Sequence, residues 1–154
     1  MRELKKLGES FVYAFRGIAF CVRNERNMRI HVCAAVYAFV FALIFYDFTK
    51  SELALLSLTC ALVISLETVN TAIEKLTDKA SPEFSKSAKV VKDAAAGAVL
   101  VSAVAAVTVG VTLFWSPAKF REIADYFSVN VFALAALALS LILTCIFVFS
   151  GGKE

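Results

Sequence analysis

Charge is the scarce commodity in this 154-residue chain: 19% of its residues are Asp, Glu, Lys or Arg, against about 25% in soluble domains, which argues against an ordinary water-soluble globule. Glycine is sparse as well. The six glycines form neither G-x-x-x-x-G-K-[ST] nor G-x-G-x-x-G, so any nucleotide must be held by side chains, metal and helix surfaces. There is one histidine, His31, and no Ser-His-Asp or Cys-His set; at the start of an apolar run, His31 fits an interfacial role better than catalysis. The four cysteines, Cys21, Cys33, Cys60 and Cys145, include no C-x-x-C pair and fall in or beside apolar runs, where cysteine packs as a small hydrophobe. The net charge of +3 is too small to argue for nucleic acid. No segment resembles a cleaved signal peptide, because basic and acidic residues precede the first long apolar run.

What the chain has is apolar length. Sixty per cent of its residues are hydrophobic, more than the interior of one small domain can hide. Four windows, 31–48, 53–73, 94–115 and 129–149, match or approach the ~20 residues that cross a hydrocarbon core. They must be helices, since an open strand in lipid leaves backbone groups unpaired. Of the 16 Lys and Arg, thirteen fall in the N-terminal segment, the 75–92 loop and the tail at Lys153. The other connections hold Lys50, Lys119 and Arg121. The positive-inside rule therefore places both termini and the 75–92 loop in the cytoplasm, with four spans between.

Ahead of the first span, Leu4, Leu7, Phe11, Phe15, Ile18 and Val22 recur every three or four residues, with Lys5, Lys6, Glu9 and Arg16 on other faces. This predicts an amphipathic helix lying in the cytoplasmic interface. Ser116-Pro117 ends the third span, and Trp115, Tyr126 and Phe127 sit where interfacial aromatics belong. Residues 116–128 are expected as an external linker.

Chemistry concentrates at the end of the second span. At about 100° per residue, Glu67, Asn70, Glu74 and Asp78 share an arc of about 80° on one helix face. A charge near mid-span costs on the order of 2.5–3.5 kcal/mol on insertion scales, so Glu67 needs a partner or a wet cavity: an interhelical clasp or a functional site. Across the loop, Lys92-Asp93 stands at the lip of a small-residue surface formed by Ala94, Gly97 and Ala98. Alone, that pair is an interfacial anchor. Together with the acids and the amide it supplies what phosphoryl transfer needs: carboxylates for a divalent metal, a cation for phosphate charge, and a base. A four-span transporter using Glu67 is the competing class. Counted from Leu53, however, Glu67 lies about 21 Å along the helix, past the midplane and toward the cytoplasm. A purely structural assembly protein gives no reason for Glu25, Glu74, Lys92 and Asp93 to accompany Glu67.

The run Glu67-Thr68-Val69-Asn70-Thr71-Ala72-Ile73-Glu74, then Asp78, Ser81-Pro82-Glu83-Phe84, and 88–99 with its Lys92-Asp93, resembles the prokaryotic diacylglycerol kinase family. Upstream, 10–18 and Asn24-Glu25-Arg26-Asn27-Met28-Arg29-Ile30-His31 resemble its undecaprenol kinase branch. The resemblance covers roughly 8–115. It implies a multi-pass, homotrimeric enzyme of the bacterial cytoplasmic membrane that transfers the γ-phosphoryl of Mg-ATP to a lipid hydroxyl, undecaprenol before diacylglycerol. By that resemblance Glu67 is the base, Glu25 and Glu74 hold magnesium, and Asn70, Lys92 and Asp93 organise the phosphates. Asp78, Arg16 and Tyr13 lie in the nucleotide region. The chain then divides into a kinase core, 1–115, and an appendage, 116–154. It departs from the family pattern at Ser85, where a histidine is expected, and in its fourth span, one more than the family's three.

Overall fold

The computed structural model describes residues 2–81, 83 and 85–150, and helix is the regular structure throughout, as a lipid-facing backbone demands. Pro82 and Phe84 of the loop motif, and the tail 151–154 with Lys153, lie outside the described residues. The helices are α1 (Arg2–Asn24), α2 (Arg26–Phe45), α3 (Lys50–Ala80), α4 (Lys86–Phe114), α5 (Pro117–Val129) and α6 (Val131–Ser150). Of these, α2, α3, α4 and α6 are long and apolar enough to cross a bilayer.

α3 and α4, with 31 and 29 residues, run longer than the apolar windows within them. At 1.5 Å per residue they reach about 46 and 44 Å, well beyond a ~30 Å core. The windows 53–73 and 94–115 marked where hydropathy stops. The helix goes on, because once nucleated it adds a backbone hydrogen bond with each residue fixed. The polar excess lies at the α3 C-terminus and the α4 N-terminus, so the two extensions stand side by side at one end of the bundle.

Local chemistry sets the breaks. Thr49 caps α3 in a reciprocal box with Glu52: its N–H donates to the Glu52 carboxylate at 2.7 Å, and its hydroxyl accepts the Glu52 N–H at 3.3 Å. Ser116-Pro117 not only stops α4 but also starts α5, with Ser116 Oγ accepting the Lys119 N–H at 3.3 Å and proline in the first turn. The expected linker 116–128 is therefore mostly a helix.

The interior is thin. The buried apolar side chains are Cys21, Met28, Ala42, Leu56, Val63, Val99 and Val148, while Arg29, Glu67, Asn70, Thr71 and Ser102 are buried and polar. Leu58, Val101 and Phe149 are 70–72% exposed, as side chains solvated by lipid should be. α3 and α4 pair closely, and α2 lies between that pair and α6. Tyr37 OH donates to Ser140 Oγ at 3.0 Å and lies 3.1 Å from Thr144 Oγ1, fastening α2 to α6. α1 meets the start of α2 and the polar end of α3, burying Cys21 and setting Phe20 under Lys75 Nζ at 5.8 Å. Its stripe of Leu4, Leu7, Phe11, Phe15 and Ile18 stays exposed, available to an interface.

Candidate active site

Glu67 is 2% exposed and Asn70 is 7% exposed; farther along the same face Glu74 is half-buried and Asp78 is exposed. The ladder thus runs from the bundle interior to water over about 16 Å of helix. Neighbouring hydroxyls satisfy themselves: Thr68, Thr71 and Thr77 donate back to Ile64, Glu67 and Ile73 carbonyls at 2.7–3.0 Å. The Asn70 amide donates to Glu74 Oε1 at 3.4 Å. Two buried atoms, Glu67 Oε2 and Asn70 Oδ1, have no hydrogen-bond partner among the described residues. Leaving a buried acceptor unmade costs on the order of 1–3 kcal/mol, more for a charged one, so the pair is built to meet a donor or a cation.

Both residues line a cavity of about 240 Å³ closed by Asn27, Ile30 and His31 of α2 and by Ala96, Val99, Leu100 and Ala103 of α4. Glu25 and Glu74 lie within electrostatic reach of Glu67. Cys21 adjoins the same group: burial pushes its thiol above the ordinary range, a hydrogen bond with Thr71 partly offsets this, and Glu25 and Glu67 add to the rise. Among the described residues, no three His, Cys, Asp or Glu side chains form a closed metal cage. Hard oxygens on Glu25 and Glu74, beside the unpartnered Asn70 Oδ1, fit magnesium, which takes one or two carboxylates and keeps places for water and phosphate.

Toward water lies a second cavity, of about 330 Å³, which brings together Asp78, Ser81, Glu83, Ser85, Ala88, Lys89, Lys92 and Asp93. Lys92 Nζ and Asp78 Oδ1, 2.9 Å apart, tie the α3 and α4 extensions to each other. Ser85, where the family pattern led us to expect histidine, caps α4, its Oγ accepting the Ala88 N–H at 3.5 Å. Two lysines face three acids around this mouth, so its charge is mixed, and the first-turn N–H groups of α4 add donors at its rim. Tyr13 and Arg16 stay exposed on α1 and make no hydrogen bond or ion pair among the described residues.

On the membrane side, a third cavity of about 290 Å³ shares His31 and Ala103 with the first and runs along Ala34, Ala35, Ala38, Ala106 and Gly110 to Phe114. The site is therefore an apolar groove, a polar chamber with unpartnered oxygens, and a charged mouth. Asn27 and Lys89 belong to it but were given no role from the sequence, and His31, read there as interfacial, lines the chamber wall. The four-residue spacing of Asn27 and His31, which puts both on one α2 face, was the available signal.

A family model described as prokaryotic diacylglycerol kinase matches residues 12–114. The chain is 40% identical over 109 residues to a diacylglycerol kinase of Synechocystis sp., a match covering 70% of this chain and 62% of that protein. It is 38% identical over 112 residues to an undecaprenol kinase of Bacillus subtilis, covering 73% of this chain and 90% of that one. The chain thus spans under two thirds of the first relative's length. No solved structure matches it significantly. The family match ends with α4, leaving α5 and α6 outside it.

Proposed function

The chain belongs to the prokaryotic diacylglycerol kinase family, and from that premise we propose that it is a membrane lipid kinase that moves the γ-phosphoryl of Mg-ATP onto a lipid hydroxyl, undecaprenol before diacylglycerol. The observation that carries this reading is the unpartnered Glu67 Oε2, buried between an apolar groove and a charged mouth. A lipid lying in the groove brings its hydroxyl to Glu67 past His31. Glu67 takes the hydroxyl proton as the lipid oxygen forms its bond to the γ-phosphorus and the bond to the ADP oxygen breaks. Lys92, held by its bond with Asp78, supplies positive charge to the transferring phosphate, and Asn70 helps to organise the phosphates. Glu25 and Glu74 would hold magnesium, which when bound neutralises phosphate charge. Asp93, with Arg16 and Tyr13 on the α1 side, completes the nucleotide region.

An apolar groove leads toward Glu67, and the single chain of a polyprenol suits it. The Glu25 to His31 stretch, which resembles the undecaprenol branch, forms part of the chamber wall. Residues 1–115 make the kinase core and 116–154 an appendage. Three copies assemble through α3, whose exposed Leu55, Leu62, Val69 and Leu76 repeat every seven residues, the spacing of a helix seam. The charged mouth faces the cytoplasm of a bacterial cell, where ATP is. A lone cysteine at position 81 should therefore resist an impermeant thiol reagent in intact cells.

The decisive assay offers undecaprenol and diacylglycerol with Mg-ATP to the purified protein in one bilayer and compares kcat/KM. The expected ratio favours undecaprenol. A ratio favouring diacylglycerol reassigns the substrate, and phosphorylation of neither lipid overturns the kinase reading.

A further inference from the structure

The elbow between α1 and α2 is one residue wide. α1 ends at Asn24, α2 begins at Arg26, and Glu25 between them has an extended backbone, φ −107° and ψ 121°. The Glu25 N–H donates to Cys21 O at 2.8 Å, and its carbonyl accepts the Arg29 N–H at 3.3 Å. The hydrogen-bond ladder therefore passes through the bend, and the angle of the bend decides where the Glu25 carboxylate points.

Arg29, one turn into α2, is 2% exposed. One guanidinium nitrogen, Nη1, donates to Arg23 O at 2.9 Å and Nε donates to Val148 O at 3.3 Å, with the Phe147 ring centroid 6.0 Å from Cζ. Arg23 O belongs to the last turn of α1 and Val148 O to the last turn of α6. Helices leave such carbonyls without internal donors, and their dipoles end negative there, so a single buried cation serves the C-termini of two helices at once. The Tyr37 bond to Ser140 keeps α6 from sliding: eight residues separate Arg29 from Tyr37 and eight separate Ser140 from Val148, one antiparallel register for both attachments. α6 lies wholly outside the matched residues 12–114, so this fastening is an addition to the family core.

We propose that α6 is part of the site's scaffold, and that Arg29 is a positioning residue which uses the last turn of α6 to fix the α1–α2 elbow and thereby hold Glu25 against Glu67. This rests on the reading of Glu25 as a magnesium-holding acid, and it assigns that acid's placement to a helix with no chemistry of its own.

The test uses the full chain with Cys33, Cys60 and Cys145 replaced by alanine, leaving Cys21, 4% exposed beneath the elbow, as the sole thiol. Two quantities are read in bilayers: the rate of Cys21 labelling by a maleimide without ATP or metal, and the magnesium midpoint of lipid phosphorylation. Arg29→Gln should raise the labelling rate about tenfold or more and move the magnesium midpoint upward with it. Arg29→Lys, one point of donation where two carbonyls wait, should fall between Arg29→Gln and the parent. From the α6 side, Ser140→Val with Thr144→Val, and separately Phe147→Ala, should shift both readouts the same way and add little to Arg29→Gln. If Arg29→Gln leaves Cys21 protected, or if the α6 substitutions leave both readouts at parent values, the proposal fails. Glu25→Gln is the separate control on the underlying reading: it should raise the magnesium midpoint with Cys21 still protected. An unmoved midpoint there removes Glu25 as a metal acid, while the labelling arm continues to report on the elbow.

Discussion

The end of the bundle that carries Glu67 leaves buried polar atoms without partners, whereas the end that carries Tyr46 satisfies its polar groups and fills the gaps between helices with rings. Tyr46 OH donates to Phe114 O at 2.7 Å. Around it Phe45 meets Tyr126, Tyr46 meets Phe114 and Phe48 meets Phe114, with centroids 5.0–5.3 Å apart. Thr49 and Glu52 close the α3 start. The difference separates two tasks. One end holds the helices in place, and the other can then keep Glu67 and Asn70 oxygens unsatisfied, because local rules are broken in proteins chiefly where a ligand will complete them.

That division predicts effects of different kinds at the two ends. The largest is at Glu67: Glu67→Gln keeps the shape but cannot accept a proton, so lipid phosphorylation should fall about 10²–10⁴-fold while helicity and thermal midpoint hold or rise. Near-parent turnover would show that the unpartnered acid is not the base. Next comes Lys92→Met, which keeps the stem and loses the point charge; kcat should drop about 10²-fold with the lipid KM little changed. A change confined to KM would make Lys92 an interfacial anchor.

At the other end, Tyr46→Phe removes one hydrogen bond, for about 1 kcal/mol of stability. Calorimetry should detect the loss, and kcat/KM should match the parent. A matching loss of activity would mean the two ends are coupled. Lys119→Met should be the smallest change. Lys119 pairs with Glu122 at 2.9 Å and reaches toward Asp47 at 3.9 Å, and the Glu122 hydrogen bond above all raises its ammonium's pKa above the ordinary lysine range. A raised folded-state value means that whatever the pair contributes is whole below about pH 10.4 and is lost as pH climbs through the folded value. The thermal-midpoint difference between variant and parent should accordingly be constant from pH 6 to 9 and close above that range.

Much of this was legible in sequence because the membrane is an exacting solvent. The length and hydropathy of 31–48, 53–73, 94–115 and 129–149 announced four spans, and the 3.6-residue period placed Glu67, Asn70, Glu74 and Asp78 on one face, which the burial gradient follows. α5 escaped because Ser116-Pro117 reads equally as a stop and a start, and a thirteen-residue half-polar helix lacks a span's hydropathy. For His31 the one sign of its place in the chamber wall was its four-residue spacing from Asn27, and a lone imidazole at a span's edge fits an interfacial role equally well.

By itself, then, the sequence determined the four span-length apolar helices, the amphipathic α1 and the polar face of α3, all set by transfer free energy and helix geometry acting within a few turns of chain. Only the tertiary structure decided that Arg29 would meet Val148, 119 residues away, and that Glu67 Oε2 would be left without a partner. Both depend on where one helix sets its backbone against another, and a carbonyl oxygen that every residue carries leaves no mark in the sequence to say which cation will find it.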